Sequence, residues 1–266
     1  MTAGTLVDPQ LSFADTPQVS FPTLVKVELR KMTDTRAGFW LMVAIGLITA
    51  AVDIGMLCFA AFGNNSFSLF DFVTVPSAVL GILLPVLGVM SVTSEFSQRT
   101  AMVSFTLEPR RQRVVWAKSV AALSMAIGAV VAAILAGVLA NLVFAAVGPG
   151  SAQWNFDVVN AGAFALMMVL ALLTGFAFGT LFLNTAVAIV VYFIYTFVLP
   201  ALLGWLAYVW HAFDRIHDWV NFAAAQAPLQ EHHVDVNWGA LLTSGLIWLG
   251  LPLFFGVIRQ LRSEVK

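Results

Sequence analysis

Four histidines, His211, His217, His232 and His233, share one stretch of this chain with Asp214, Asp218, Glu231 and Asp235. Imidazoles and carboxylates can ligate a divalent metal, but this spacing matches no ligand pattern such as H-E-x-x-H, and no metal is expected. Asp53 poses a different problem, because it is the only acidic or basic residue well inside a long apolar run. A carboxylate at mid-bilayer costs about 2.5–3.5 kcal/mol on insertion scales, so it should face the protein interior or a wet cavity. It could contact a substrate, pair two helices, or sit partly hydrated near the outer end of a tilted helix. The apolar runs hold no paired Ser, Asp and Glu, and no G-x-x-x-x-G-K-[ST] run cradles phosphates. No catalytic residue and no cofactor are therefore expected in this chain.

The most specific pattern lies between the second and third apolar runs. Glu95 and Phe96 open it, and Phe96, Thr100, Val103 and Leu107 recur at i, i+4, i+7 and i+11. That spacing predicts a short helix with one apolar face. Pro109 stops the helix, Arg110, Arg111 and Arg113 follow, and Lys118 opens the next apolar run. An amphipathic helix of this kind, at the mouth of a helix bundle, suits docking into a groove of another protein. The arginine cluster could equally anchor topology by binding anionic lipid.

Apolar helices have to carry these residues. The chain is 60% hydrophobic and 10% charged, against about 25% charged in ordinary soluble domains. Spans of roughly 20 apolar residues are read near 38–62, 72–93, 119–147, 161–183, 186–209 and 239–258. Barrel strands would alternate and be shorter. Of thirteen Lys and Arg residues, all but Arg215 fall on one side of this six-span pattern. The positive-inside tendency puts both termini and the loop after the second span in the cytoplasm. Residues 1–20 have no basic region followed by an apolar stretch and read as a flexible cytoplasmic tail; 21–266 form one six-span domain.

Smaller features fill in the picture. Phe21, Val25, Leu29 and Met32 make an apolar stripe, with Lys26, Glu28, Arg30 and Lys31 off it. This predicts an interfacial helix over 21–36, or simply the lead-in to the first span. Phe213, Ile216, Val220 and Ala223 predict an amphipathic outer segment between the fifth and sixth spans. Pro76, Pro85, Pro200 and Pro252 bend helices or are merely tolerated. Gly175 and Gly179 form a GxxxG pair for close helix packing; the partner is not specified, and packing within the chain is the default.

On these residues the chain resembles the permease subunits of ABC-2-type exporters. In that family a glutamate ends the second span, and a short helix, a proline, basic residues and a lysine opening the third span follow. Glu95, Thr100, Leu107, Pro109, Arg113 and Lys118 match that order, while Arg99 stands where many members carry glycine. The resemblance covers residues 20–266. It implies an all-α membrane protein with six transmembrane helices, an N-terminal interfacial helix and a cytoplasmic coupling helix. It also implies a second membrane subunit, identical or related, and a separate ATP-binding cassette subunit that carries ATP and Mg. Glu95, Phe96, Arg99, Thr100, Val103, Leu107, Pro109, Arg110, Arg111 and Arg113 would couple to that subunit. The location implied is the inner (plasma) membrane, the partners include the lipid bilayer but no nucleic acid, and the activity is export by alternating access.

The apolar lining of the spans favours an amphipathic or hydrophobic cargo such as a drug, lipid or peptide. Two other classes stay open. An ion-coupled secondary transporter needs ionisable groups near the midplane, and Asp53 alone offers one. A non-transporting membrane scaffold could use the same loop to bind a regulatory partner.

Overall fold

The computed structural model describes residues 19–63, 65–97, 110–147 and 151–262. Most of the expected tail, and Arg99, Thr100, Val103, Leu107 and Pro109 of the expected coupling helix, lie outside the described residues. Among those described, every regular element is helical.

Among the described residues six helices are long and apolar enough to cross a membrane: Arg36–Gly63, Leu69–Phe96, Gln112–Val147, Val158–Phe182, Thr185–Val209 and Trp238–Leu261. They are called the first to sixth spans below. A separate helix, Phe21–Asp34, precedes them. Each span lies where the hydropathy pattern predicts it. The third helix begins earlier than the apolar run does, at Arg111, because Arg111–Lys118 continues the same helix beyond its apolar part.

Burial is uneven in an informative way. In their most apolar windows the second and fourth spans are 61% and 56% buried, the fifth only 11%. The second and fourth spans thus form the centre. Gly88 and Gly175 explain how closely their backbones meet. A Cβ on Gly175 would overlap the Pro85 carbonyl, and one on Gly88 would overlap the Leu172 carbonyl. Glycine is required there because dispersion at short range replaces the hydrophobic drive that lipid does not supply. Gly179 faces Val89 in the same contact, so the GxxxG pair packs within the chain against the second span. The core around this contact includes Leu84, Val92, Met168, Leu172 and Phe176. Gly256 of the sixth span packs on Thr180 and Leu181.

The first span is apolar all round, yet only one stripe is buried: Gly38, Ile45, Thr49, Asp53, Met56 and Ala60. Its opposite side leaves Leu47 and Ile54 exposed. Asp53 therefore faces inward.

Prolines act differently by position. Pro76 and Pro85 lie inside the uninterrupted helix Leu69–Ser97. Pro200 and Pro252 instead follow wide turns, Ile194–Val198 and Leu246–Gly250. There Leu199 N–H donates to the Ile194 carbonyl, and Leu251 N–H to that of Leu246. A proline lacks a donor and crowds the preceding turn, and widening that turn by one residue accommodates both effects.

The helix ends carry recognisable caps. The fourth span starts with a reciprocal Asp157–Asn160 capping box. It ends at Leu183, which has φ 53°, and Asn184 then caps the fifth span by accepting from Val187 N–H at 3.2 Å. This two-residue reversal joins the two spans. The segment before the sixth span is broken into His211–Asp214, His217–Val220 and Phe222–Gln226, followed by a 3-10 turn at Ala227–Gln230. Of the expected apolar stripe only Phe213 is buried, while Ile216 is exposed. Phe222, Ala225 and Leu229 hold the segment to the bundle instead.

Candidate functional site

The structure gathers four charged side chains from three helices at one end of the bundle. Lys31 Nζ lies 2.7 Å from Glu28 Oε1 and 2.6 Å from Glu95 Oε1. Lys118 Nζ lies 2.7 Å from Glu28 Oε2 and 3.1 Å from Glu95 Oε1. Two carboxylates and two ammonium groups thus alternate in a closed ring. Glu28 and Lys31 come from the N-terminal helix, Glu95 from the end of the second span, and Lys118 from the helix that becomes the third.

Local geometry explains the arrangement. Glu28 and Lys31 are one turn apart and face the same way. Lys118 is buried deepest, its side chain only 2% exposed, with Glu95 at 6%, Glu28 at 9% and Lys31 at 38%. Charges this buried are tolerated only when paired and hydrogen-bonded. The ring meets that condition, and each ammonium touches both carboxylates. Lys118 also approaches the Ser91 carbonyl at 3.5 Å. Burial by itself lowers the pKa of the Lys31 ammonium, but hydrogen bonds to Glu28 and Glu95 outweigh it and raise that pKa above the ordinary lysine value.

Two of these four residues, Glu95 and Lys118, stand in the sequence motif. Glu28 and Lys31 were missed as members. The apolar-stripe reading of 21–36 turned them outward, whereas Glu28 is buried beside Met32. The only sequence signal was their i, i+3 spacing, which gives no hint of partners far along the chain.

The remaining expected site residues are placed as follows. Phe96 is half-buried and Arg110 exposed. Arg113 donates to the Val19 carbonyl at 2.9 Å, which ties the start of the third helix to the chain before the N-terminal helix. Arg111 opens that helix. Asp53 is far along the first span, 5% exposed. Of the histidines, His217 Nδ1 sits 2.9 Å from Asp218 Oδ1, while the His232 ring packs 5.1 Å from that of Phe70 and 5.3 Å from that of His233. Among the described residues no three His, Cys, Asp or Glu side chains gather to hold a metal ion.

Cavities lie between the described spans. One, about 320 Å³, is bounded by the first three spans and lined by Met42, Ile45, Thr49, Leu84, Gly128 and Ala132 among others. Among its described lining residues Thr49 is the one that carries a hydroxyl. Another, about 190 Å³, lies between the second, fourth and fifth spans and the broken segment, and offers Thr174, Tyr195, Asn221 and Gln226. Beside it Tyr192 donates to the Gly81 carbonyl at 3.0 Å, and the Tyr195 ring lies 5.4 Å from that of Trp248. Trp248 Nε1 donates to the Val220 carbonyl at 2.7 Å, so both wide turns contact this region.

The six apolar helices fit a multi-pass membrane protein. No protein-family model matches the chain, and no curated protein matches it.

Proposed function

We propose that this chain is the membrane-spanning permease subunit of an ATP-driven exporter of the ABC-2 type. The observation that carries this reading is the buried charge ring. Residues 98–109 lie between Glu95 and Lys118, and the ring clamps both of these to each other and to the N-terminal helix. A force applied to that loop would therefore be delivered to the second span, the third span and the N-terminal helix together. A partner that docks on the loop gains a lever on the bundle.

In this reading a separate ATP-binding subunit, carrying ATP and Mg, docks on 98–109 and on Arg110, Arg111 and Arg113. Both termini and the ring face the cytoplasm of a cell whose inner (plasma) membrane holds the protein, and the N-terminal helix lies at the membrane surface. A second membrane subunit completes the transporter. Closure of the ATP-binding subunits pulls the loops, tilts the spans and releases an amphipathic or hydrophobic cargo outward.

The test is affinity purification from native membranes in mild detergent, with assays for a co-purifying subunit and vanadate-sensitive ATPase activity. A stoichiometric ATP-binding partner, lost on Glu95→Gln, is expected. Arg110→Glu with Arg111→Glu should leave membrane insertion intact and abolish transport-coupled ATPase. Intact protein with no partner and no ATPase would overturn the proposal.

A further inference from the structure

We infer that the cavity between the first three spans is a binding site for a hydrophobic amine, its protonated nitrogen held by Thr49 and Asp53. This names a cargo class for the proposed exporter and rests on that reading only in calling the ligand a cargo.

The cavity measures about 320 Å³, within the range of small-molecule sites. Its walls are apolar. Leu80, Leu84 and Leu87 come from the second span, and Gly128, Ala129 and Ala132 from the third. The small residues of the third span make it roomy: a Cβ on Gly128, or on Gly46 across from it, would meet nothing within 4 Å. An apolar body is what such walls would hold.

The polar part is more specific. Thr49 is 6% exposed and Asp53 5% exposed, yet Thr49 Oγ1 and Asp53 Oδ1 have no hydrogen-bond partner among the described residues. Thr49 lines the cavity. Asp53 does not itself line the cavity; it is four residues on, about 6 Å further along the helix axis and on the same buried stripe, just beyond the Thr49 end. A buried hydroxyl and carboxylate left without partners carry a desolvation cost that a ligand can remove. A carboxylate favours a cation with N–H donors. A metal ion would want several oxygen ligands, and the rest of the lining is hydrocarbon and thioether. An alkylammonium with an apolar cage or ring satisfies both features.

The test uses three molecules of one shape: 1-adamantylamine, 1-adamantanol and adamantane-1-carboxylate. Binding of each is measured at neutral pH to the whole purified chain in lipid nanodiscs, which needs neither ATP nor a partner subunit. The amine should bind about tenfold tighter than the alcohol, as one charge-assisted contact allows, and the carboxylate weakest. Asp53→Asn should abolish the preference for amine over alcohol. Gly128→Leu, which puts an apolar side chain into the cavity from the third span, should weaken both amine and alcohol.

Equal binding of amine and alcohol to the wild type would overturn the inference, as would absence of any binding. So would a preference unchanged in Asp53→Asn, or binding unaffected by Gly128→Leu. Should Asp53→Asn not fold, the ligand series on the wild type and Gly128→Leu still decides. The exporter reading fails separately, by lack of an ATP-binding partner.

Discussion

Replacing Lys118 by methionine tests whether the charge ring is a single unit. Methionine keeps most of the volume of the lysine stem, so the main loss is one ammonium whose side chain is 2% exposed. That ammonium lies 2.7 Å from Glu28 and 3.1 Å from Glu95. Its removal leaves two buried carboxylates sharing Lys31. Breaking a buried ion pair from one side costs about 3–5 kcal/mol. For a chain of this size that converts to a fall of roughly 6–20 °C in the unfolding midpoint, at about 2–4 °C per kcal/mol. Lys31→Met should cost less, about 1–2 kcal/mol, because that side chain is 38% exposed and water screens what remains. The decisive variant is Lys118→Met combined with Glu28→Gln. It restores neutrality, leaving Lys31 with Glu95, and should be more stable than Lys118→Met by itself. The assay is thermal unfolding of purified protein in nanodiscs, followed by tryptophan fluorescence. If the two substitutions simply add, the residues are not coupled in the way the ring requires. If Lys31→Met costs more than Lys118→Met, burial is not what sets the energetics.

Two further outcomes follow from particular contacts. Because the folded-state pKa of Lys31 is raised above its ordinary value of 10.5, its contribution to stability is complete below that value and is lost as pH rises through the folded pKa. The unfolding midpoint of the wild type should therefore fall above about pH 10.5 more steeply than that of Lys31→Met, and parallel curves would contradict the pairing. Gly175→Ala should push the second and fourth spans apart, since its Cβ would overlap the Pro85 carbonyl, and cost at least about 1–3 kcal/mol. Gly162→Ala, where a Cβ meets nothing within 4 Å, should be neutral or slightly stabilising in the same thermal assay, and equal effects would refute the close-contact account.

Much of the architecture follows from local chemistry. An apolar run long enough to cross a bilayer must satisfy its own backbone, so it becomes a helix wherever it occurs. Hence all six helices were legible from hydropathy. The broken segment at 211–230 was less legible. Its period suggested one helix, but burial of Phe222, Ala225 and Leu229 against the bundle, and not the helical stripe, shapes it.

The candidate site divides along the same line. Glu95 and Lys118 could be singled out because they bracket a patterned loop, and Asp53 because an acid in an apolar run is costly. Their surroundings depended on the tertiary structure. Whether GxxxG in the fourth span faced another span or another chain was undetermined by composition, since small residues permit close approach to any helix. The second span supplies the matching surface through Pro85, Gly88 and Val89. Likewise Glu28 and Lys31 read only as charged residues lying off an apolar stripe. The set of membrane-length helices is readable residue by residue, because apolarity sums over neighbours in the chain. That residues 28, 31, 95 and 118 form one buried ring emerges only when three helices pack together. A charge becomes a structural element only when folding removes water from it and brings distant opposite charges within hydrogen-bonding distance.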